Sequence, residues 1–199
     1  MIIEKDSETY SIEQFEKMTG IQWQTNLTFK DFHLVPKIKK KAAKLYKKGE
    51  MTLEQIWLGK YFQKEIETNY TPDVAIRWID SILGWGVFAS RDFKKMEFIA
   101  EYVGTVRKSM RADRKNAYCF EYPIASGMKT PYTIDALECG SIARFINHSE
   151  NANLNSSLAT FDDVGHIILY TKKPLAKETQ LCYDYGPNYW SKRTKPLPI

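Results

Sequence analysis

The residues with the types and spacing to do chemistry fall into separate groups along the chain. In RFINHSENANL, residues 144–154, His148 stands between Asn147 and Ser149, with Asn151, Asn153 and Asn155 close behind. An imidazole so placed serves as a metal ligand, as a base, or as part of an ordinary turn, and Asn147-His148-Ser149 also matches a glycosylation sequon. The other histidines are His33 and His166, and no His-x-x-His, His-Glu-x-x-His or Gly-x-Ser-x-Gly occurs, so metal hydrolysis and triad catalysis fit poorly. Cys119, Cys139 and Cys182 lack Cys-x-x-Cys spacing, which argues against a zinc cluster and a disulfide framework and for reduced surroundings.

Gly84-Trp85-Gly86 brings two glycines that let backbone approach a ligand, but it lacks the third glycine and following helix of a dinucleotide fingerprint, and alone it reads as a turn between strands. Tyr118, Tyr122, Tyr132, Tyr183, Tyr185 and Tyr189 lie in or beside strand-like runs. They read first as core aromatics, and alternatively as an aromatic channel holding a long cationic side chain by its stem and its charge.

The elements that must position these groups change character near Thr71-Pro72. Residues 1–70 read as helical: Ser11 with Gln14, and Thr52 with Gln55, have capping-box spacing, and Leu53, Ile56, Trp57 and Tyr61 form a stripe that should pack. KIKKKAAKLYKKGE offers Ile38, Ala42 and Leu45 as its apolar stripe and a stop at Gly49. From residue 71 the runs VAIRWI, VFAS, FIAEYVG, AYCFEY, YTIDA, HIILYTK and QLCYDYG read as short strands, with Val74, Ile76 and Trp78 on one face. Their spacing leaves no room for crossover helices, so the fold class is α+β, mostly β, of small antiparallel sheets.

At 199 residues, with 43% hydrophobic and 27% charged content, the chain buries one sizeable core. The start MIIEKDSETYSIEQF has no basic flank and apolar run of a classical signal peptide, and no membrane span is expected. The net charge of +5 is local: Lys30, Lys37, Lys39, Lys40, Lys41, Lys44, Lys47 and Lys48 face only Asp31 and Glu50 across residues 30–50. That segment is a solvated helix face or a contact for DNA or chromatin.

The order decides what the separate signals leave open. Gly84-Trp85-Gly86, EYVG at 101–104, YTIDA at 132–136, RFINHS at 144–149 and LCYDYG at 181–186 together resemble the SET domain of protein lysine methyltransferases. The tail YGPNYW is similar to that of the short bacterial, chlamydia-type SET proteins. Beside the helical region read over 1–70, the resemblance implies a SET domain over 71–186 with RFINHS and YDYG meeting in a pseudoknot, and a short C-terminal segment over 187–199.

It also implies S-adenosylmethionine held by Gly84, Trp85, Gly86, Arg144, Asn147, His148, Tyr185 and Trp190, a lysine channel with Tyr118 and Tyr183, and Tyr185 as the catalytic residue. Tyr183 stands where the family carries Phe or Tyr, which implies monomethylation. Histones or basic histone-like proteins are the implied substrates, with automethylation and a homodimer open, and DNA or chromatin contact assigned to Lys37, Lys39, Lys40, Lys41, Lys44, Lys47 and Lys48. A bacterial cytoplasm, with secretion into a host cell and its nucleus, follows from the same analogy. Where many relatives read Asn-His-Ser-Cys-x-Pro-Asn, this chain reads Asn-His-Ser-Glu-Asn-Ala-Asn, and the cysteine-rich flanks are missing, so no structural zinc is expected.

Overall fold

A computed structural model describes residues 1–191 and Arg193; the rest of the segment expected over 187–199 lies outside the described residues. The first third runs β1 (Ile2–Lys5), β2 (Glu8–Thr9), α1 (Ile12–Thr19), β3 (Gln22–Trp23), β4 (Thr28–Phe29), α2 (Leu34–Lys47), α3 (Leu53–Tyr61) and α4 (Gln63–Glu67). Then follow β5 (Val74–Asp80), β6 (Gly84–Ala89), β7 (Phe98–Glu101), β8 (Thr105–Lys108), β9 (Cys119–Glu121), β10 (Tyr132–Asp135) and β11 (Cys139–Gly140). The chain continues through β12 (Asn147–His148), β13 (Leu154–Phe161), β14 (Val164–Thr171), β15 (Gln180–Tyr183) and α5 (Pro187–Trp190). Small sheets with a few helices are what the sequence leads one to expect.

The helices of the first 70 residues form as read, but short strands between them join the later sheets. A six-stranded sheet runs β12-β15-β6-β5-β1-β2, a four-stranded one β4-β8-β10-β9, a three-stranded one β13-β14-β7, and a pair β11-β3. β1, β3 and β4 each pair parallel with a strand from beyond residue 70, where only antiparallel pieces were expected. Strands of two to four residues carry too little alternation to be seen in sequence. β13 also escaped the sequence reading.

Ser11 closes its capping box with Gln14, and α1 stops at Gly20 in the left-handed region. α2 buries Leu34, Ile38, Ala42 and Leu45 and leaves its other faces to lysines. α3 departs from the reading twice. Thr52 caps it, but the Gln55 amide turns into the core instead of closing a box: it donates to the Ile124 carbonyl and Thr160 hydroxyl and accepts from the Ser126 N–H.

The packed face of α3 is Gln55, Leu58 and Gly59, continued by Phe62, while Leu53 is 86% exposed and Trp57 and Tyr61 stack half-exposed, 4.7 Å apart. Gly59 selects that face, because a Cβ there would lie 1.8 Å from the Thr160 carbonyl oxygen, so only glycine lets α3 seat on β13. Leu58, Phe62 and Ile66 then form one apolar cluster with Phe98, Ala159, Ile168 and Tyr170.

β5 also differs from a half-buried strand. Val74, Ala75 and Ile76 are all buried, whereas Trp78, expected on the buried face, is only partly covered and lines a cleft.

Candidate active site

The centre of the six-stranded sheet brings three distant motifs side by side. β15 pairs antiparallel with β6 through Leu181 and Val87, and parallel with β12, where Asn147 faces Cys182 and His148 faces Tyr183. RFINHS and YDYG therefore meet on adjacent strands, next to the strand that Gly84-Trp85-Gly86 begins. The glycine pair is not a turn between strands, as first read, but the first residues of β6.

Each motif residue has a local cause for its place. Asp80 accepts from the N–H groups of Ile82 and Leu83, and Gly84 follows at φ +71°, a left-handed conformation that favours glycine. At Gly86 a Cβ would lie 2.6 Å from Ile79 Cδ1 and 3.3 Å from Asn147 Nδ2, so this glycine permits close packing. Asn147 Nδ2 donates to the Trp85 carbonyl at 3.2 Å and links RFINHS to the glycine pair.

The altered tail of the motif acquires a role that sequence did not explain. Asn153 Oδ1 accepts from the Cys182 N–H at 2.9 Å, and its Nδ2 donates to the Gln180 carbonyl at 2.8 Å. Asn153 thus clips β15 in register.

A cleft of about 1130 Å³ opens over this arrangement. Gly84, Trp85, Tyr118, Arg144, Asn147, His148, Tyr183, Tyr185 and Trp190 line it, whereas Gly86 lies behind the wall. The Tyr185 hydroxyl donates to the Ile146 carbonyl at 2.8 Å, and the Tyr185 N–H donates to His148 Nδ1 at 3.2 Å. The Tyr183 and Tyr185 ring centroids are 4.7 Å apart, and Trp190 lies parallel to Tyr185 at 6.1 Å.

Tyr102 and Phe120 also line the cleft and were missed as site residues; Tyr102 donates its hydroxyl to the Tyr118 carbonyl at 3.0 Å. Its signal was available, since a tyrosine inside the apolar run FIAEYVG needs a partner for its hydroxyl.

Electrostatics follow from this enclosure. Burial, then the neighbouring tyrosines, push Tyr183 and Tyr185 well above the ordinary phenol range, so both stay neutral around physiological pH. Burial lowers the Arg144 pKa, and this side chain is a clamp: it donates to the Ala136 and Leu137 carbonyls and lies 4.0 Å over the Tyr118 ring. Burial pushes the Cys182 thiol up to about 11, which removes it as a nucleophile at neutral pH.

Two buried nitrogens of lining residues, His148 Nε2 and Trp190 Nε1, have no hydrogen-bond partner among the described residues. Because His148 Nδ1 accepts a backbone N–H, the neutral ring carries its proton on Nε2 as a donor without an acceptor. Such orphan donors at a cleft wall fit a polar ligand with acceptor atoms. Among the described residues, no three His, Cys, Asp or Glu side chains gather as a metal site.

Comparisons with known proteins match this geometry. The SET domain family model matches residues 84–186. The chain is similar to N-lysine methyltransferase KMT5A-A of Xenopus laevis, with 35% identity over 116 residues, 52% of this chain and 33% of that protein. It is similar to histone-lysine N-methyltransferase SETD1 of Drosophila melanogaster, with 34% identity over 111 residues, 53% of this chain and 7% of that protein. The chain therefore spans a third or less of the length of these relatives. The crystal structure of Arabidopsis thaliana SUVH6 in complex with SAM matches with a TM-score of 0.50 and 29% identity, over 58% of this chain and 28% of that one.

Proposed function

The chain belongs to the SET-domain family, and from that premise we propose that it is an S-adenosylmethionine-dependent protein-lysine N-methyltransferase with Tyr185 at the reacting centre. The observation that carries this reading is the convergence of Trp85, Asn147, His148, Tyr183 and Tyr185 on one cleft, with the Tyr185 ring fixed at both its hydroxyl and its backbone.

The residues fit the cofactor. The orphan donors His148 Nε2 and Trp190 Nε1 need acceptors, and Trp190 offers an indole face beside Tyr185. Gly84, Trp85, Asn147, His148 and Trp190 would hold it, with Arg144 shaping the wall and Gly86 acting from behind. When bound, it supplies a methyl carbon already activated by a sulfonium.

The rest is the chain's own work. A lysine ammonium has a pKa of about 10.4 in water and must lose its proton to expose a lone pair. Buried Tyr183 with half-buried Tyr118 and Tyr185 forms an aromatic wall that disfavours the charged form, so the proton leaves to solvent before transfer. Tyr185 then aligns the amine with the methyl group as an oriented neutral dipole.

For substrates, we extend the reading to histones or basic histone-like proteins and to the enzyme's own lysines. Lys37, Lys40, Lys41, Lys44 and Lys47 are exposed on α2 and Lys48 just after it, where it also pairs with Glu50 at 3.4 Å, whereas Lys39 is held by Asp162 at 2.5 Å. Neutralising the six should flatten the salt dependence of DNA binding; an unchanged slope ends the DNA role. The likeness to short bacterial SET proteins, and with it a bacterial cytoplasm and export into a host cell, rests on the tail YGPNYW.

The test is transfer of labelled methyl from S-adenosylmethionine to mixed histones and to the enzyme itself, comparing wild type with Tyr185→Phe. Label on lysine from wild type alone supports the proposal, and no label from folded, cofactor-binding protein rejects it.

A further inference from the structure

The first strand reaches the cleft. β1 is anchored by Ile3, 2% exposed, and by parallel pairing with β5, in which Ile2, Ile3 and Glu4 face Ala75, Ile76 and Arg77. One residue further, Lys5 lines the same cleft as Trp78, Leu83, Gly84 and Trp85, although it lies 79 residues before Gly84.

The Lys5 ammonium lies 4.8 Å from the Trp78 ring centroid, and Trp78 meets Trp85 edge-on at 5.4 Å. Lys5, Trp78 and Trp85 thus form a continuous run from the first strand to the glycine pair.

What makes Lys5 informative is its lack of an anion. Glu4, its neighbour, is held by Arg77 at 2.6 Å, and Glu8, opposite it on β2, accepts the Tyr10 hydroxyl at 2.8 Å. Lys5 makes no ion pair among the described residues.

The other described cations of the cleft are engaged or elsewhere. Arg144 serves the Ala136 and Leu137 carbonyls, and Arg193 serves those of Tyr189, Arg114 and Asn116. Arg114 lies on that Arg193 side. At the glycine pair, Lys5 is the cation with free donors among the described residues, and the indole beneath it excludes water from one side, which strengthens its attraction for a negative ligand group.

We propose that Lys5 binds the α-carboxylate of the cofactor's methionine end, so that the N-terminal strand completes the cofactor site. This rests on the methyltransferase reading above. By likeness to SET domains the backbone around Gly84 and Trp85 would cradle the cofactor's methionine end, whose carboxylate is the anionic group that a partnerless ammonium there can meet with a charge-assisted hydrogen bond. It follows that residues before 71 contribute to ligand binding as well as to packing.

The test is titration calorimetry of full-length wild type, Lys5→Met and Lys5→Arg with S-adenosylmethionine and with its decarboxylated form, which keeps the sulfonium, the amine and the adenosine but lacks the carboxylate. The expected result is that Lys5→Met weakens S-adenosylmethionine about tenfold, the size of one charge-assisted contact. It should leave the decarboxylated form unchanged, and Lys5→Arg should retain most of the affinity. Equal weakening of both ligands, or of neither, overturns the inference while the methyltransferase reading stands. If wild type binds no S-adenosylmethionine, the reading falls and the Lys5 inference falls with it. Equal melting temperatures across the three proteins separate a lost contact from a lost fold.

Discussion

The Tyr185 hydroxyl donates to the Ile146 carbonyl oxygen at 2.8 Å, across 39 residues of sequence. That bond commits the phenolic proton to the chain that carries RFINHS, while burial keeps the phenol from ionising. Tyr185 is therefore held as an acceptor of fixed direction, which in the proposed reaction suits it to alignment rather than proton abstraction.

In the proposed reaction Tyr183, 6% exposed and 4.7 Å from Tyr185, would limit how many methyl groups fit. Its hydroxyl would keep a water beside the amine, in the space a second methyl needs. Wild type should yield monomethyllysine, and Tyr183→Phe should shift product toward dimethyllysine in mass spectra of a peptide substrate. Processive trimethylation by wild type, unchanged in the variant, contradicts the steric argument.

Asn153 holds β15 through the Cys182 N–H and the Gln180 carbonyl. Asn153→Ala leaves both groups without their side-chain partner, at a cost of about 1–3 kcal/mol. The urea midpoint should fall with an unchanged slope, and cofactor affinity should fall with it, because β15 leads into Tyr183 and Tyr185. A variant as stable as wild type removes Asn153 from the account.

In an exposed helix Gly→Ala gains about 1 kcal/mol. At Gly59 the sign should reverse, because the new Cβ would lie 1.8 Å from the Thr160 carbonyl oxygen, and forcing a core apart costs about 1–3 kcal/mol or more. Thermal melts of Gly59→Ala should show a clear loss; a gain would mean that α3 is not seated on β13.

The buried tyrosines set an alkaline limit. Folded Tyr183 and Tyr185 titrate well above the unfolded value of about 10, so below that pH their contribution to stability is fully present. Above it the unfolded chain loses protons that the native state keeps, and stability drains away as pH rises through the folded values. Melting temperatures should fall beyond about pH 10, with tyrosinate absorbance rising as the protein unfolds. A flat profile there would show that these hydroxyls are solvated.

Much of the site was legible because its chemistry sits in residue types. Asn147, His148, Tyr183 and Tyr185 were picked out by order and spacing, and the structure brings them to one cleft; QLCYDYG formed a strand as read, whereas the strand at Asn147–His148 was not read. The rest depends on contacts without local signals. β1, β3 and β4 are too short for periodicity, so their entry into the later sheets was invisible. Leu53, Trp57 and Tyr61 offered the more apolar stripe, and hydropathy does not register that Gly59 permits the closer approach. Gln55 matched a capping box but meets Ile124 and Thr160, positions apart by 69 and 105 residues. Lys5 carries no motif, and its meaning lies in Trp78 beneath it.

The most direct test of methyl transfer at this cleft is mass spectrometry of a lysine peptide incubated with S-adenosylmethionine and either wild type or Tyr185→Phe, with cofactor binding measured on both. The account predicts methyllysine and S-adenosylhomocysteine from wild type, and at least a hundredfold slower product formation from Tyr185→Phe with binding retained, about 2.7 kcal/mol of lost alignment. Equal rates from the two proteins, or no methyllysine from wild type that binds the cofactor, would contradict it.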